Sequence, residues 1–102
     1  MGISVVKKDG RKESYDRKKI EAGLMRALEK RPGSEEKAEK ILEEIEYELH
    51  ARHESEVASR EIGNLILEKL RSVDEVAYLR FVSVYKSFGS VKSFKKAIEN
   101  LE

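Results

Sequence analysis

Three stretches of this chain repeat apolar residues at helical spacing, and each is closed by residues that a helix does not keep in its interior. Ile20, Leu24, Ala27 and Leu28 form the first stripe, and Arg31-Pro32-Gly33 ends it. Ala38, Ile41, Leu42, Ile45 and Leu49 form the second, which fades near His53. Ile62, Leu65, Ile66 and Leu70 form the third, followed by Asp74. From Val76 to Tyr85 the chain is apolar nearly all round, with Arg80 as its single charge. Stripes of this kind must be buried against one another, so the core has to be made of packed helices. The spacing predicts a first helix from an Asp16 N-cap to about Lys30. A second is capped by Ser34, with Glu35 and Glu36 suitably placed in its first turn. Ser59 caps a third and Asp74 a fourth, with Val73 and Tyr78 placed as a hydrophobic staple. The fourth, apolar on all sides, is predicted to be central. Gly89 then ends it, and Ser90 caps a last helix with Phe94, Ala97, Ile98 and Leu101 inward.

The first residues follow a different rule. Asp9-Gly10 is a hairpin signal, since a two-residue type I′ turn needs φ > 0 at both central positions. That turn pairs Ile3–Lys8 with Arg11–Tyr15 and sets Lys8 opposite Arg11 and Lys7 opposite Lys12. Val5, Lys7, Lys12 and Ser14 would share one face, and Val6, Lys8, Arg11 and Glu13 the other. A bulged turn would shift this register by one residue. Glu54–Ala58, "ESEVA", is a loop by itself and a third strand if it meets an open hairpin edge.

Charge sharpens the picture. The net charge is only +1, yet residues 1–19 hold seven Lys or Arg against three acids. Like charges facing across a strand pair repel, and Arg17, Lys18 and Lys19 crowd the positive end of a helix dipole. An anion lying between hairpin and helix start would relieve both. A solvated surface with chance imbalance is the competing explanation.

Other chemistry is poorly supported. With no cysteine there is no disulfide and no cysteine zinc site, which fits a reducing, cytoplasmic setting. No long apolar run suggests a membrane span or signal peptide. Only two histidines exist, and His50 and His53 lack an obvious third metal ligand. Neither common phosphate-loop motif is present. No catalytic constellation can be assembled, so no enzyme is expected. The lysines and aromatics of "YKSFGSVKSFKK" read better as a wet face and a core face than as a nucleic-acid surface. Gly63 inside a helix makes room for a packed neighbour or a ligand. Arg80 is expected to pair with an acid at a helix contact. Tyr78 and Tyr85 share a helical face as half-buried core, although one could offer a flat surface to a base.

Three segments, "VVKKDGRKESYDRKKI", "EVASREIGNLILEKL" and "DEVAYLRFVSVYKSF", together resemble the ATP-cone. This is the nucleotide-sensing domain of ribonucleotide reductases and of the bacterial repressor that controls their genes. "EKRPGS" and "VAYLRFVSVYKSF" are most similar to the repressor's version. The resemblance implies an α+β, mainly helical domain over residues 1–102: a four-helix bundle plus a C-terminal helix, capped by a small three-stranded sheet. The hairpin 3–8/11–15 and a strand near 54–58 would form that sheet. It implies ATP or dATP as ligand, held under the sheet, with Mg²⁺ as an accompanying ion. Lys7, Lys8 and Lys19 would meet the phosphates, making the basic cluster a triphosphate seat aided by N–H groups at the first helix's start. Val5 would touch base or sugar, and Ser59 matches a hydroxyl position at a helix start. Gly63 falls where the reductase version has a histidine, and Tyr85 matches a tyrosine near the nucleotide in the repressor version.

The implied role is allosteric: nucleotide-dependent self-association, or a signal to a ribonucleotide reductase or regulator partner, with no membrane and no direct nucleic-acid contact. The repressor's four-cysteine zinc ribbon has no counterpart in this chain. Two other classes compete. A helical interaction module whose basic patch meets an acidic protein would show no nucleotide-specific stabilisation. A nucleic-acid binder would show steep salt dependence and little preference among mononucleotides.

Overall fold

The computed structural model describes residues 2–85 and residue 99. The elements run β1 (Ser4–Val6), β2 (Lys12–Ser14), α1 (Arg17–Ala27), α2 (Ser34–Ala51), β3 (Glu56–Ala58), α3 (Ser59–Val73) and α4 (Glu75–Tyr85). The architecture is the expected α+β, mainly helical one, with four helices capped by a three-stranded sheet among the described residues. The expected last helix beyond Ser90 lies outside the described residues.

The sheet has the order β2-β1-β3, with β1 antiparallel to β2 and parallel to β3. "ESEVA" is therefore a strand, and Val57 lies beside Val5. Both are buried, and together they seat the sheet on the helices. On the opposite face Lys12 reaches across β1 to Glu56, 2.9 Å away.

The hairpin turn differs from the type I′ expectation. Lys7 N–H donates to the Arg11 carbonyl at 2.7 Å, and Gly10 N–H donates to the Lys7 carbonyl at 2.9 Å. Gly10 takes φ +91°, while Asp9 keeps a negative φ. The loop is thus three residues, Lys8-Asp9-Gly10, with glycine supplying the left-handed position. Asp9 works through its side chain: its carboxylate accepts from Arg11 N at 3.0 Å and Arg11 Nε at 2.7 Å. The register moves by one, so Val5 faces Glu13 and Val6 faces Lys12. Glu13 consequently joins the face of Val5 and Lys7, and Lys12 leaves it.

Three caps also differ. α1 stops at Ala27 rather than Lys30, where the backbone turns left-handed with φ +61°. Arg80, expected to seek an acid, instead donates to the Ala27 and Glu29 carbonyls at 3.1 and 2.7 Å. A cation on free carbonyls at a helix C-terminus satisfies both bonding and dipole. Gly33, with φ +63°, takes the N-cap position of α2, leaving Ser34 as its first residue with no capping bond. Ala58 does the same for α3, so Ser59 is likewise not a cap.

The core centres on α2, where Ile41, Leu42 and Ile45 are fully buried. Among the described residues α4 lies at the side of the bundle, not at its centre as its all-round apolarity suggested. It packs chiefly on α3 and α1, burying Ala77 and Val82 and leaving Val84 80% exposed. A charged N-cap secures it. Asp74 accepts from Ala77 N–H at 3.0 Å, from Arg31 Nε at 3.0 Å and from Lys37 Nζ at 3.1 Å, and its side chain is 2% exposed.

Candidate functional site

Where the sheet meets the helices, a cavity of about 420 Å³ opens. That is a normal size for a small-molecule site. β1, β2, α1, α3 and α4 all contribute to its wall, and α2 does not. One end is apolar: Ile20 from α1, Ile62 and Ile66 from α3, and Phe81 and Tyr85 from α4. The two rings lie 5.9 Å apart and tilted by 30°. The other end is charged, with Lys7, Glu13, Asp16 and Lys19. A hollow flat and greasy at one end and ionic at the other suits a ligand built the same way.

The charged end is already arranged around an anion of the protein's own. Glu13 lies 3.6 Å from Lys7 Nζ and 3.5 Å from Lys19 Nζ. Lys19 first, and Lys7 next, hold its carboxyl below the usual glutamate range. The like-charge crowding expected from the two-residue turn is thereby relieved within the protein. The expectation of free N–H groups at the start of α1 also changes. Lys18 and Lys19 N–H donate to the Asp16 carboxylate at 3.1 and 3.4 Å, so the cap fills that place.

The structure brings Val5, Lys7, Lys19, Ser59, Gly63 and Tyr85 to one cavity. Lys8 stands apart. With Lys7, Arg11 and Ser59 it lines a neighbouring hollow of about 370 Å³. A further hollow shares Lys7, Lys8, Ser59 and Tyr85 with these two, so Lys7 and Ser59 stand at the junction of all three. Among the described residues, no three His, Cys, Asp or Glu side chains gather to hold a metal.

At Gly63 the wall leaves no room for a side chain. A Cβ at this position would overlap the end of the Tyr85 ring, and Tyr85 Oη donates to the Arg60 carbonyl at 3.2 Å. The missing side chain therefore seats Tyr85 flat against α3. Gly63→Ala should gain helix propensity of up to about 1 kcal/mol and push the ring off that seat. The expected outcome is a folded variant with Tm changed by only a few degrees and an altered Tyr85 ring environment in NMR spectra.

Sequence reasoning missed Glu13, Ser14, Tyr15, Asp16, Ile20, Gly23, Ile62, Ile66 and Phe81 as wall residues. Signals existed for some. Phe81 precedes Tyr85 by one helical turn, and Ile62 and Ile66 flank Gly63 on the buried stripe. Glu13 needed the correct loop length, because a one-residue slip exchanges the faces of a strand.

Comparison with known proteins agrees with this architecture. The family model described as the ATP cone domain matches residues 3–91. Transcriptional repressor NrdR of Petrotoga mobilis is 49% identical over 100 residues, covering 98% of this chain and 67% of that protein. The same-named protein of Pelotomaculum thermopropionicum is 50% identical over 99 residues, covering 97% of this chain and 60% of its own length. That of Carboxydothermus hydrogenoformans is 52% identical over 99 residues, with 97% and 64% covered. The chain thus spans roughly two thirds or less of these relatives. Relatives named as transcriptional repressors lend no support to the expectation of no nucleic-acid contact. With the match spanning sheet, bundle and cavity alike, the chain belongs to the ATP cone domain family.

Proposed function

We propose that this chain is a regulatory module that binds an adenine nucleotide, ATP or dATP, and reports its occupancy without performing chemistry. The observation that carries this reading is the two-ended cavity lying within the matched ATP cone. Phosphates would take Lys7 and Lys19 over from Glu13, gaining charge-assisted hydrogen bonds. The base and sugar would lie among Ile62, Ile66, Phe81 and Tyr85, next to Val5 and Gly63. Lys8 sits outside the cavity, so it would meet only the far end of a polyphosphate chain. Glu13 and Asp16 offer the carboxylate oxygens that Mg²⁺ accepts, and the phosphates would supply most of its remaining ligands.

The names of the relatives favour a link to transcriptional control, here of ribonucleotide reductase genes. Nucleotide-dependent self-association, or contact with a ribonucleotide reductase or regulator partner, would deliver the signal. Only contacts that differ between the two states can shift such an equilibrium.

A thermal-shift panel of ATP, dATP, GTP, CTP and inorganic triphosphate tests the binding step. At a free ligand level near 100 times Kd, stabilisation should be about 2.7 kcal/mol. For a domain of this size that raises Tm by roughly 10–20 °C. A flat response to ATP and dATP, or an equal response to triphosphate alone, would overturn the reading.

A further inference from the structure

α2 supplies the centre of the core and no part of the cavity wall, yet it grips the cavity's charged end from behind. The grip is Glu46. Its side chain is 18% exposed, and both of its oxygens are engaged. Tyr15 Oη donates to Oε2 at 2.8 Å, and Arg17 Nη1 donates to Oε1 at 2.9 Å. The other Arg17 nitrogen, Nη2, donates to Glu39 at 2.7 Å. Burial first, and the bond to Glu46 next, raise the Tyr15 hydroxyl above its ordinary pKa.

Tyr15 and Arg17 flank Asp16, the residue at which the chain leaves β2 and begins α1. β2 is a three-residue edge strand, and its last backbone tie at this corner is Tyr15 N–H to the Ile3 carbonyl at 2.9 Å. The sheet therefore does little to fix the direction in which α1 departs. That direction decides where Lys19, on the first turn of α1, stands relative to Lys7 on the sheet.

We propose that Glu46 is a positioning residue for the anion-binding end of the cavity. By holding Tyr15 and Arg17 it sets the angle between sheet and α1, and with it the Lys7-to-Lys19 spacing that phosphates must match. It touches the ligand nowhere. Misplaced ammonium groups lose charge-assisted bonds quickly, because those bonds depend on short, directed contacts. The proposal rests on the nucleotide reading above, and it predicts that α2 governs affinity for the phosphate part alone.

Calorimetric titration of the whole chain with ATP and with AMP tests this, using wild type, Glu46→Ala, Glu46→Gln and Lys69→Ala. Lys69 ties α3 to Glu48 on α2 at 2.8 Å and does not line this cavity, so its variant reports what a lost, partly buried tie to α2 does by itself. Glu46→Ala should weaken ATP about tenfold and AMP much less. Glu46→Gln, which keeps an oxygen for Tyr15, should fall between it and wild type. Lys69→Ala should bind as wild type does. Should Glu46→Ala fail to fold, Tyr15→Phe and Arg17→Ala each remove one donor and should each reproduce part of the ATP-selective loss. Equal ATP affinity in wild type and every Glu46, Tyr15 and Arg17 variant that folds overturns the positioning role. So does a loss that is the same for AMP and ATP. A wild type that takes up neither nucleotide overturns the nucleotide reading as well.

Discussion

Asp74→Ala should destabilise the empty protein by about 3 kcal/mol, since removing one partner of a buried charged cluster strands the others. The carboxylate accepts from Arg31, Lys37 and the Ala77 N–H while 2% exposed. Its two cations are 35% and 25% exposed, so each retains some water, which places the expected loss at the lower end for such clusters. A total stability of about 5–15 kcal/mol makes this a large fraction. The Tm should fall by roughly 12–24 °C. Asp74→Asn keeps a competent N-cap while losing the charge, so it should cost less.

Acid should reveal the same cluster. Burial pushes the Asp74 carboxyl upward, but the Ala77 N–H, Arg31 and Lys37 outweigh it, leaving the pKa at about 2 against an ordinary 3.8. A depressed carboxylate contributes stability in full above its unfolded pKa and loses it as pH falls through the folded one. The contribution, about 2 kcal/mol, should therefore be whole above pH 4 and fade towards pH 2. Denaturant melts between pH 2 and pH 7 should show that slope in wild type and a flatter one in Asp74→Asn. Identical slopes would mean that Asp74 does not hold its proton so weakly.

The second large effect concerns the ligand. Lys19→Glu should lower ATP affinity on the order of 100-fold, because it removes a charged partner of the phosphates and puts repulsion in its place. Lys7→Glu should act similarly. Neither variant should be as harmless to the empty fold as the basic cluster alone suggests. Glu13 sits 3.5–3.6 Å from both lysines, so either substitution leaves it facing a new carboxylate. A modest drop in Tm is expected, and both the drop and the affinity loss should shrink at high salt. Titration calorimetry at two ionic strengths measures the affinity loss, and thermal melts in the same two buffers measure the drop in Tm. Unchanged ATP affinity in both variants would remove the lysines from the site.

Local patterns carried the helical architecture. The stripes through Leu24, Ile41, Leu42, Ile45 and Leu70 have the period of a helix and nowhere else to go, and all five side chains are fully buried. Asp74 was legible as a cap because its role is local, reaching Ala77 three residues on. The basic hairpin was legible as a place of charge, and the three-segment resemblance named the family. Tertiary structure decided whatever depended on distant partners. α4 is apolar nearly all round yet lies at the side of the bundle among the described residues, since hydrophobicity states what a helix tolerates and not which neighbours surround it. Arg80 found carbonyls at and just beyond the end of α1, more than fifty residues away, and Arg31 and Lys37 found Asp74 across 43 and 37 residues. The least legible feature was the sign of the charge facing the cavity. It turned on one extra residue in the Lys8-Asp9-Gly10 loop, and a side-chain period of two turns a one-residue difference into a change of face. That slip brought Glu13 between Lys7 and Lys19, where no count of charges along the chain could have put it.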